Sequence, residues 1–381
     1  SRPAIIISNH QSLIETPAFL QLHPKIIILT RTWVYRSPVF GPIARLAGYP
    51  NVDDGIEEVA KQLKSRVAEG YSVLIFPEGH RSADHRIQRF HRGAFYLAEE
   101  LGLDILPVLV FGTGEFLGKG VFWGRPNGFR MKILPRVAPG NTTFGASYQE
   151  RTRLFRRYFI REYAAFRAEE GDANYYRRLL SLNYVLKGPV LEWYMRVKLK
   201  LEGNYELFNR LLPRRGNILD LGCGYGFITY MMMFTGEERF LTGVDYDGQK
   251  IALAAASFSA CERIRFETAD IREYPIGPHD GFILGDVLHY LEPGRQEELL
   301  AKCCTNLKPG GIILIREANA ELTGRHEKSR LTEFFSTRSG FNKTGNPSGQ
   351  LWFTSAGDLR RIAATHGLTM ETIDHKKHTS N

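Results

Sequence analysis

Two apolar segments run without a break into polar turns dense in titratable groups: AIIIS (Ala4–Ser8) enters NHQSLIE, and SVLIF at 72–76 enters PEGHRS. A run that is apolar at every position has no face to offer water, so it reads as a buried strand. Between the two, residues 57–70 show helical spacing at Val59, Leu63 and Val67 and stop at a glycine, and 93–101 repeats the pattern before ILPVLVF. This alternation of strand and helix predicts an α/β layer fold.

The length of 381 residues exceeds one comfortable core and fits two domains. The formal charge of +9 is unevenly spread: residues 1–200 hold 29 Lys+Arg against 18 Asp+Glu, and the rest 21 against 23. A basic half suits anionic lipid head groups, the phosphates of coenzyme A or an acidic carrier protein. Nucleic acid is not expected, because no zinc finger or recognition-helix signature accompanies the charge. No apolar run reaches the ~18 residues of a spanning helix, so any membrane association is expected to be peripheral or supplied by sequence upstream of Ser1. Cys223, Cys261, Cys303 and Cys304 show no paired metal spacing and read as reduced thiols in a cytoplasmic setting. His80, His85 and His91 likewise match no standard ligand spacing, so no metal is expected.

In NHQSLIE, His10 and Glu15 sit on a strand-to-helix turn, with Thr16 and Pro17 opening the helix. A carboxylate on one ring nitrogen fixes the tautomer and leaves the other nitrogen to take a proton from a hydroxyl or amine. The same pair also serves as a structural hydrogen bond in many turns. In residues 148–167, Leu154, Phe155, Tyr158, Phe159 and Phe166 form one helical face flanked by Arg153, Arg156, Arg157 and Arg161. Packing of that face inside the first domain is the favoured reading, with insertion into an anionic membrane as the alternative. Farther on, NILDLGCGYGF closes an apolar strand with Asp220 and opens into Gly222, Gly224 and Gly226. Glycines there let backbone approach a ligand in front of a helix N-terminus, as a nucleotide requires.

NHQSLIE and FPEGHRS resemble the first and third sequence blocks of the glycerol-phosphate/lysophospholipid acyltransferase superfamily. Arg31 with SPVFGP, including Gly41, resembles the second block, and ILPV around Pro107 the fourth. The resemblance implies His10 as general base, Glu15 as its orienting acid, and Arg31, Gly41, Glu78, Gly79, Arg81 and Pro107 as substrate-binding. It implies an acyl-CoA or acyl-carrier-protein thioester as donor and a lipid-like acceptor. The chain departs from the family pattern in having Glu15 for aspartate, His80 for threonine, and Asp53 and Asp54 where an arginine ends the second block. Acids there repel a phosphate, so the expected acceptor is a less anionic alcohol or amine with an apolar tail.

DLGCGYG resembles the first motif of class I S-adenosylmethionine-dependent methyltransferases, and the likeness continues through FLTGVDYD, IRFETADI, DGFILGDVLHYL and LKPGGIILI. It implies a Rossmann-like domain with a seven-stranded sheet and S-adenosylmethionine held by Asp220, Gly222, Gly224, Gly226, Asp245, Tyr246, Asp270, Ile271 and Asp286. His289, in the loop after the fourth strand, is the candidate base, a buried structural histidine being the alternative. Residues 329–351, ringed by Phe334, Phe335, Phe341 and Trp352, form a candidate lid. The domains expected are 1–167 for acyl transfer, 168–212 as helical lead-in and 213–381 for methyl transfer. Similar fusions, some behind a membrane exporter domain, occur in bacterial aryl-polyene and resorcinol pathways, which makes an upstream exporter domain part of the expectation. A silent acyltransferase-like domain that docks the methyltransferase on membrane or carrier is the competing reading.

Overall fold

The computed structural model describes residues 2–125, 127–236, 238–317 and 350–373. The candidate lid, with Phe334, Phe335 and Phe341, falls outside them except for positions 350 and 351. The chain divides into two compact units, Ser1–Gly171 and Asp172–Asn381.

The first unit contains β1 (Ala4–Ser8), α1 (Glu15–Leu22), β2 (Ile26–Ile28), α2 (Thr32–Arg36), α3 (Phe40–Leu46) and α4 (Ile56–Ala68). These are followed by β3 (Ser72–Ile75), α5 (Gly93–Glu100), β4 (Asp104–Phe111), α6 (Thr113–Leu117), β5 (Arg130–Ile133) and α7 (Tyr148–Glu170). The sheet order is β2-β3-β1-β4-β5, with β1 parallel to both neighbours and β5 antiparallel at the edge. As the central strand, β1 is buried at all its positions, as its unbroken apolar run requires. Helix α4 carries Glu57 and Glu58 in its first turn, where they favour the helix dipole, and buries Val59, Ala60 and Leu63. Helix α7 starts on Ser147, whose hydroxyl accepts the Glu150 N–H, while the Glu150 carboxylate reaches back to the Ala146 N–H. Its aromatic face is internal: Phe155, Phe159, Tyr163 and Phe166 are buried, with Phe155 packed edge-on to Phe95 of α5. That face therefore belongs to the core and is not presented to a membrane.

The second unit opens with α8 (Ala173–Leu182), α9 (Pro189–Leu201) and α10 (Tyr205–Leu211), and then alternates β6 (Arg215–Leu221), α11 (Phe227–Thr235), β7 (Glu238–Asp245) and α12 (Gly248–Ala255). It continues with β8 (Ile264–Thr268), β9 (His279–Gly285), α13 (Pro293–Thr305), β10 (Leu307–Arg316) and α14 (Ala356–Thr365). Among the described residues its sheet has five strands in the order β10-β9-β6-β7-β8, all parallel, where seven were expected. The strand order reverses at β6, which places a crevice beyond its carboxyl end. Among the described residues no helix is long and apolar enough to cross a membrane.

Candidate active sites

In the first unit, Asn9 continues the work of β1: its side-chain amide donates to the Val110 carbonyl at 2.7 Å, and its carbonyl oxygen accepts the Val110 N–H at 2.8 Å. That pins the turn on which His10 stands. Nδ1 of His10 lies 2.7 Å from Oε2 of Glu15, which opens α1 and is wholly buried. Oε1 of Glu15 accepts the Gln11 N–H at 2.9 Å, the Ser12 N–H at 3.0 Å and the Thr113 hydroxyl at 2.6 Å. These donors satisfy a buried carboxylate that would otherwise be expensive to keep charged. The imidazole stacks on Phe76, with ring centroids 4.2 Å apart.

The PEGHRS turn holds the His10 backbone from both sides. Glu78 Oε1 accepts the His10 N–H at 2.9 Å, and the Ser82 N–H donates to the His10 carbonyl at 2.8 Å. The other Glu78 oxygen accepts the Gln88 N–H at 2.7 Å. Glu78 is buried, and desolvation pushes its carboxyl up to about 7 against the pull of these two N–H groups, with Glu15 adding to the rise. Glu78, expected to meet a substrate head group, clamps backbone with both its oxygens. Gly79 is left-handed (φ 71°), and a Cβ there would come within 3.1 Å of the His91 ring and 3.3 Å of Nη2 of Arg31. Arg31, Gly79 and His91 thus converge, with Arg81 half-buried in the same turn. Neither the Arg31 nor the Arg81 guanidinium makes a hydrogen bond or ion pair with a described residue.

Two expected substrate residues are placed otherwise. A Cβ on Gly41 would stand 2.4 Å from the Tyr35 carbonyl oxygen, so this glycine lets α3 pack against α2. Pro107 lies within β4 opposite Ile7, and its carbonyl accepts the Leu134 N–H at 2.9 Å. Asp53 accepts the Thr32 N–H at 2.9 Å and lies beside Arg31; those contacts hold its carboxyl below the usual range. Sequence reasoning missed Thr113, which is 98 residues from its partner Glu15. It also missed a second pair, His85 with Glu115 at 3.2 Å, where burial opposes ionisation but His85 and Arg167 hold the carboxyl at about 2.

In the second unit a cavity of about 850 Å³ opens at the carboxyl ends of β6, β7 and β9. Asp220, Gly222, Gly224, Asp245, Tyr246, Asp270, Ile271 and Asp286 all line it. Gly226 caps α11 just behind. Gly222 (φ 79°) would place a Cβ 2.4 Å from Val287, whereas a Cβ on Gly224 (φ 56°) would meet nothing within 4 Å. Gly222 is required by packing, and Gly224 is where backbone lies open to the cavity. Asp245 is braced by N–H groups of Gly224 (2.8 Å) and Asp247 (2.9 Å). Burial pushes Asp220 up to about 7, countered by the Thr229 hydroxyl at 2.6 Å and by Arg316, and reinforced by Asp245.

Arg316, at the end of β10, forks onto Asp286 at 3.1 and 2.5 Å and also pairs with Glu202. Burial would raise Asp286, but Arg316 and Lys198 outweigh it and hold the carboxyl at about 2. Asp270 is gripped by Arg272, which keeps its carboxyl below the usual range. Tyr246 is exposed and Ile271 buried. Tyr194, Lys198, Leu201 and Glu202 of the preceding helices form the facing wall.

His289 is buried and does not line this cavity; its neighbour Tyr290 does. Its Nδ1 lies 2.7 Å from Oε2 of Glu317, whose Oε1 accepts the N–H groups of Val287 (2.9 Å) and Leu288 (2.7 Å). This repeats the wiring of His10 and Glu15, with an acid that sequence reasoning missed because it follows a different strand. Among the described residues no three His, Cys, Asp or Glu side chains cluster as a metal site.

Residues 1–110 match the family model described as Acyltransferase, and residues 218–311 the one described as Methyltransferase domain. The chloroplastic 1-acyl-sn-glycerol-3-phosphate acyltransferase of Brassica napus is 32% identical over 127 residues, covering 31% of this chain and 36% of the relative. The beta form from Homo sapiens is 30% identical over 123 residues, covering 30% and 44%. The chain therefore spans from about a third to just over half of the length of the curated relatives it matches. Among solved structures, the 1-acyl-sn-glycerophosphate acyltransferase of Thermotoga maritima is similar at TM-score 0.38 and 24% identity, covering 44% of this chain and 68% of the other. An O-methyltransferase of neocarzinostatin biosynthesis, in complex with S-adenosyl-L-homocysteine, is similar at TM-score 0.36 and 21% identity, covering 49% and 55%. On the two family-model matches the chain carries an acyltransferase-family domain followed by a methyltransferase domain.

Proposed function

We propose that the first unit transfers an acyl group from a thioester to a hydroxyl or amine of a lipid-like acceptor, and that the second transfers methyl from S-adenosylmethionine to a small-molecule, lipid or polyene acceptor. The observation that carries the first half is the Glu15 carboxylate, fully buried, fully satisfied and 2.7 Å from His10. With Nδ1 held by Glu15, Nε2 of His10 takes the acceptor's proton while the acceptor oxygen or nitrogen forms a bond to the thioester carbonyl carbon. The carbon–sulfur bond then breaks, and the imidazolium returns the proton to the departing thiolate. Arg31 and Arg81 supply positive charge beside the negative charge that develops on the carbonyl oxygen. Asp53 beside Arg31 favours an acceptor less anionic than a lysophosphatidate.

In the second unit the residues fit an adenosyl group: the open Gly224 backbone admits it, Asp245 and Asp270 would hold its ribose and adenine, and Asp220 and Gly222 floor the site. S-adenosylmethionine, when bound, supplies an electrophilic methyl group. The chain's own contribution is to align the acceptor, and His289, steadied by Glu317 and buried behind Tyr290 of the cavity wall, is the candidate for taking its proton. Thioester hydrolysis and transfer assays on the wild type and on His10→Ala test the first half. Calorimetry of S-adenosylmethionine with Asp245→Ala tests the second, and NADH binding in place of S-adenosylmethionine would overturn it.

Peripheral attachment to an anionic membrane, the remaining part of the reading, is supported by α2 and α3 and not by α7. Trp33 (58% exposed), Val39, Phe40, Ile43 and Leu46 (93% exposed) offer a large apolar face, with Arg36 and Arg45 among them. Apolar insertion with flanking cations is how an interfacial helix binds anionic lipid.

A further inference from the structure

A groove of about 730 Å³ in the first unit belongs to neither wired histidine. It is lined by Arg89, Phe90, His91 and Arg92 from the segment before α5, and by Gln149, Thr152, Arg153, Arg156 and Arg157 from the first turns of α7. Among the described residues no acidic side chain lines it. Arg156 is fixed in place, its Nε donating to the Gln88 carbonyl at 2.7 Å and its Nη2 to the Ile87 carbonyl at 3.2 Å. The guanidinium groups of Arg89, Arg92, Arg153 and Arg157 make no hydrogen bond or ion pair with any described residue. Four uncompensated cations around one concavity repel one another, an arrangement that a bound polyanion relieves.

The groove starts where the acyl-transfer site ends. His91 lines it and also lies against Gly79, while Gln88, held by Arg156, donates its N–H to the Glu78 that clamps His10. From this we infer that the groove binds the phosphorylated nucleotide end of an acyl-coenzyme A, three phosphate groups meeting several arginine forks while the flexible thioester arm reaches toward His10. The inference rests on the thioester reading above and names coenzyme A as the carrier. A concave site of this volume fits a nucleotide, whereas a bilayer calls for a broad exposed patch.

The experiment titrates coenzyme A and dephospho-coenzyme A into the full chain by calorimetry, and repeats both with Arg153→Glu/Arg157→Glu. Both positions are exposed on α7, and an unchanged melting temperature verifies the fold. Coenzyme A should bind, with affinity falling at higher salt, and the double substitution should weaken it by ~10-fold or more. Dephospho-coenzyme A should bind more weakly than coenzyme A to the wild type. Absence of coenzyme A binding, or binding indifferent to the substitutions, overturns the assignment. Acyl-carrier thioesters are assayed in parallel: turnover of these without coenzyme A binding removes the groove but leaves the thioester reading, and groove-dependent coenzyme A binding without thioester turnover does the reverse. Loss of binding to anionic vesicles in the double variant, with coenzyme A affinity unchanged, also overturns it in favour of lipid head groups.

Discussion

Oε1 of Glu15 lies 2.6 Å from the hydroxyl of Thr113, so the acid behind His10 is anchored by the start of α6, just beyond β4, as well as by its own turn. The carboxylate cannot swing away without leaving three donors unsatisfied in the interior. Glu15→Gln keeps the volume but removes the charge that supports an imidazolium, and should lower kcat for acyl transfer by ~10³- to 10⁴-fold with little change in KM. Thr113→Val should cost less, on the order of 1–3 kcal/mol of stability read by urea unfolding, because one buried acceptor loses one of its partners.

Glu78 titrates in the opposite sense to a salt-bridged acid. Its folded-state value is about 7 against an ordinary 4.5, so between those two pH values the unfolded chain loses the proton first. Its contribution is fully present below 4.5 and lost as pH rises to about 7, by up to ~3 kcal/mol. Glu78→Gln should abolish that component. The difference in unfolding free energy, wild type minus variant, should therefore be less favourable at pH 7.5 than at pH 4.5, and a pH-independent difference would contradict the assignment.

The two cavity glycines should separate cleanly. At Gly222 a methyl group collides with Val287, so Gly222→Ala should destabilise the second unit by ~2–4 kcal/mol. At Gly224 the space is open and only the left-handed backbone objects, at ~1–2 kcal/mol, yet the methyl group would stand where a ligand approaches. Gly224→Ala should lower the melting transition by only a few degrees while weakening S-adenosylmethionine binding by ~10-fold or more, measured by calorimetry.

Glu317 should behave as a positioning residue for His289. Glu317→Gln should reduce methyl-transfer kcat by ~10²- to 10³-fold without altering S-adenosylmethionine affinity, and should shift the acidic limb of the pH–rate profile. An unshifted profile with full activity would assign the pair to structure alone.

The apolar face of α2 and α3 gives a separate outcome. Trp33→Ala/Leu46→Glu should reduce co-sedimentation with anionic vesicles several-fold while leaving turnover of a soluble acceptor analogue intact.

What could be read from the sequence followed from local contiguity. His10 and Glu15 share one turn, and Gly222 to Gly226 one loop, so the spacing already implied the geometry. The uninterrupted AIIIS run likewise implied a buried strand. Partners brought in by the sheet were out of reach: Thr113 and Glu317 are placed by strands remote in sequence from the histidine turns they support. Gly41 and Pro107 show that a residue inside such a sequence block can also be there to let backbone pack. The arginines of α7 were legible as a polar face, but their meeting with Arg89 and Arg92 depends on how α5 and α7 dock.

Independence of two active centres on one polypeptide is the central claim, and parallel assays of acyl transfer and methyl transfer on His10→Ala and Asp245→Ala test it most directly. His10→Ala should abolish acyl transfer and leave methyl transfer at the wild-type rate, and Asp245→Ala should do the converse. Wild-type protein without thioester turnover, or a single substitution that silences both reactions in a folded chain, would contradict it.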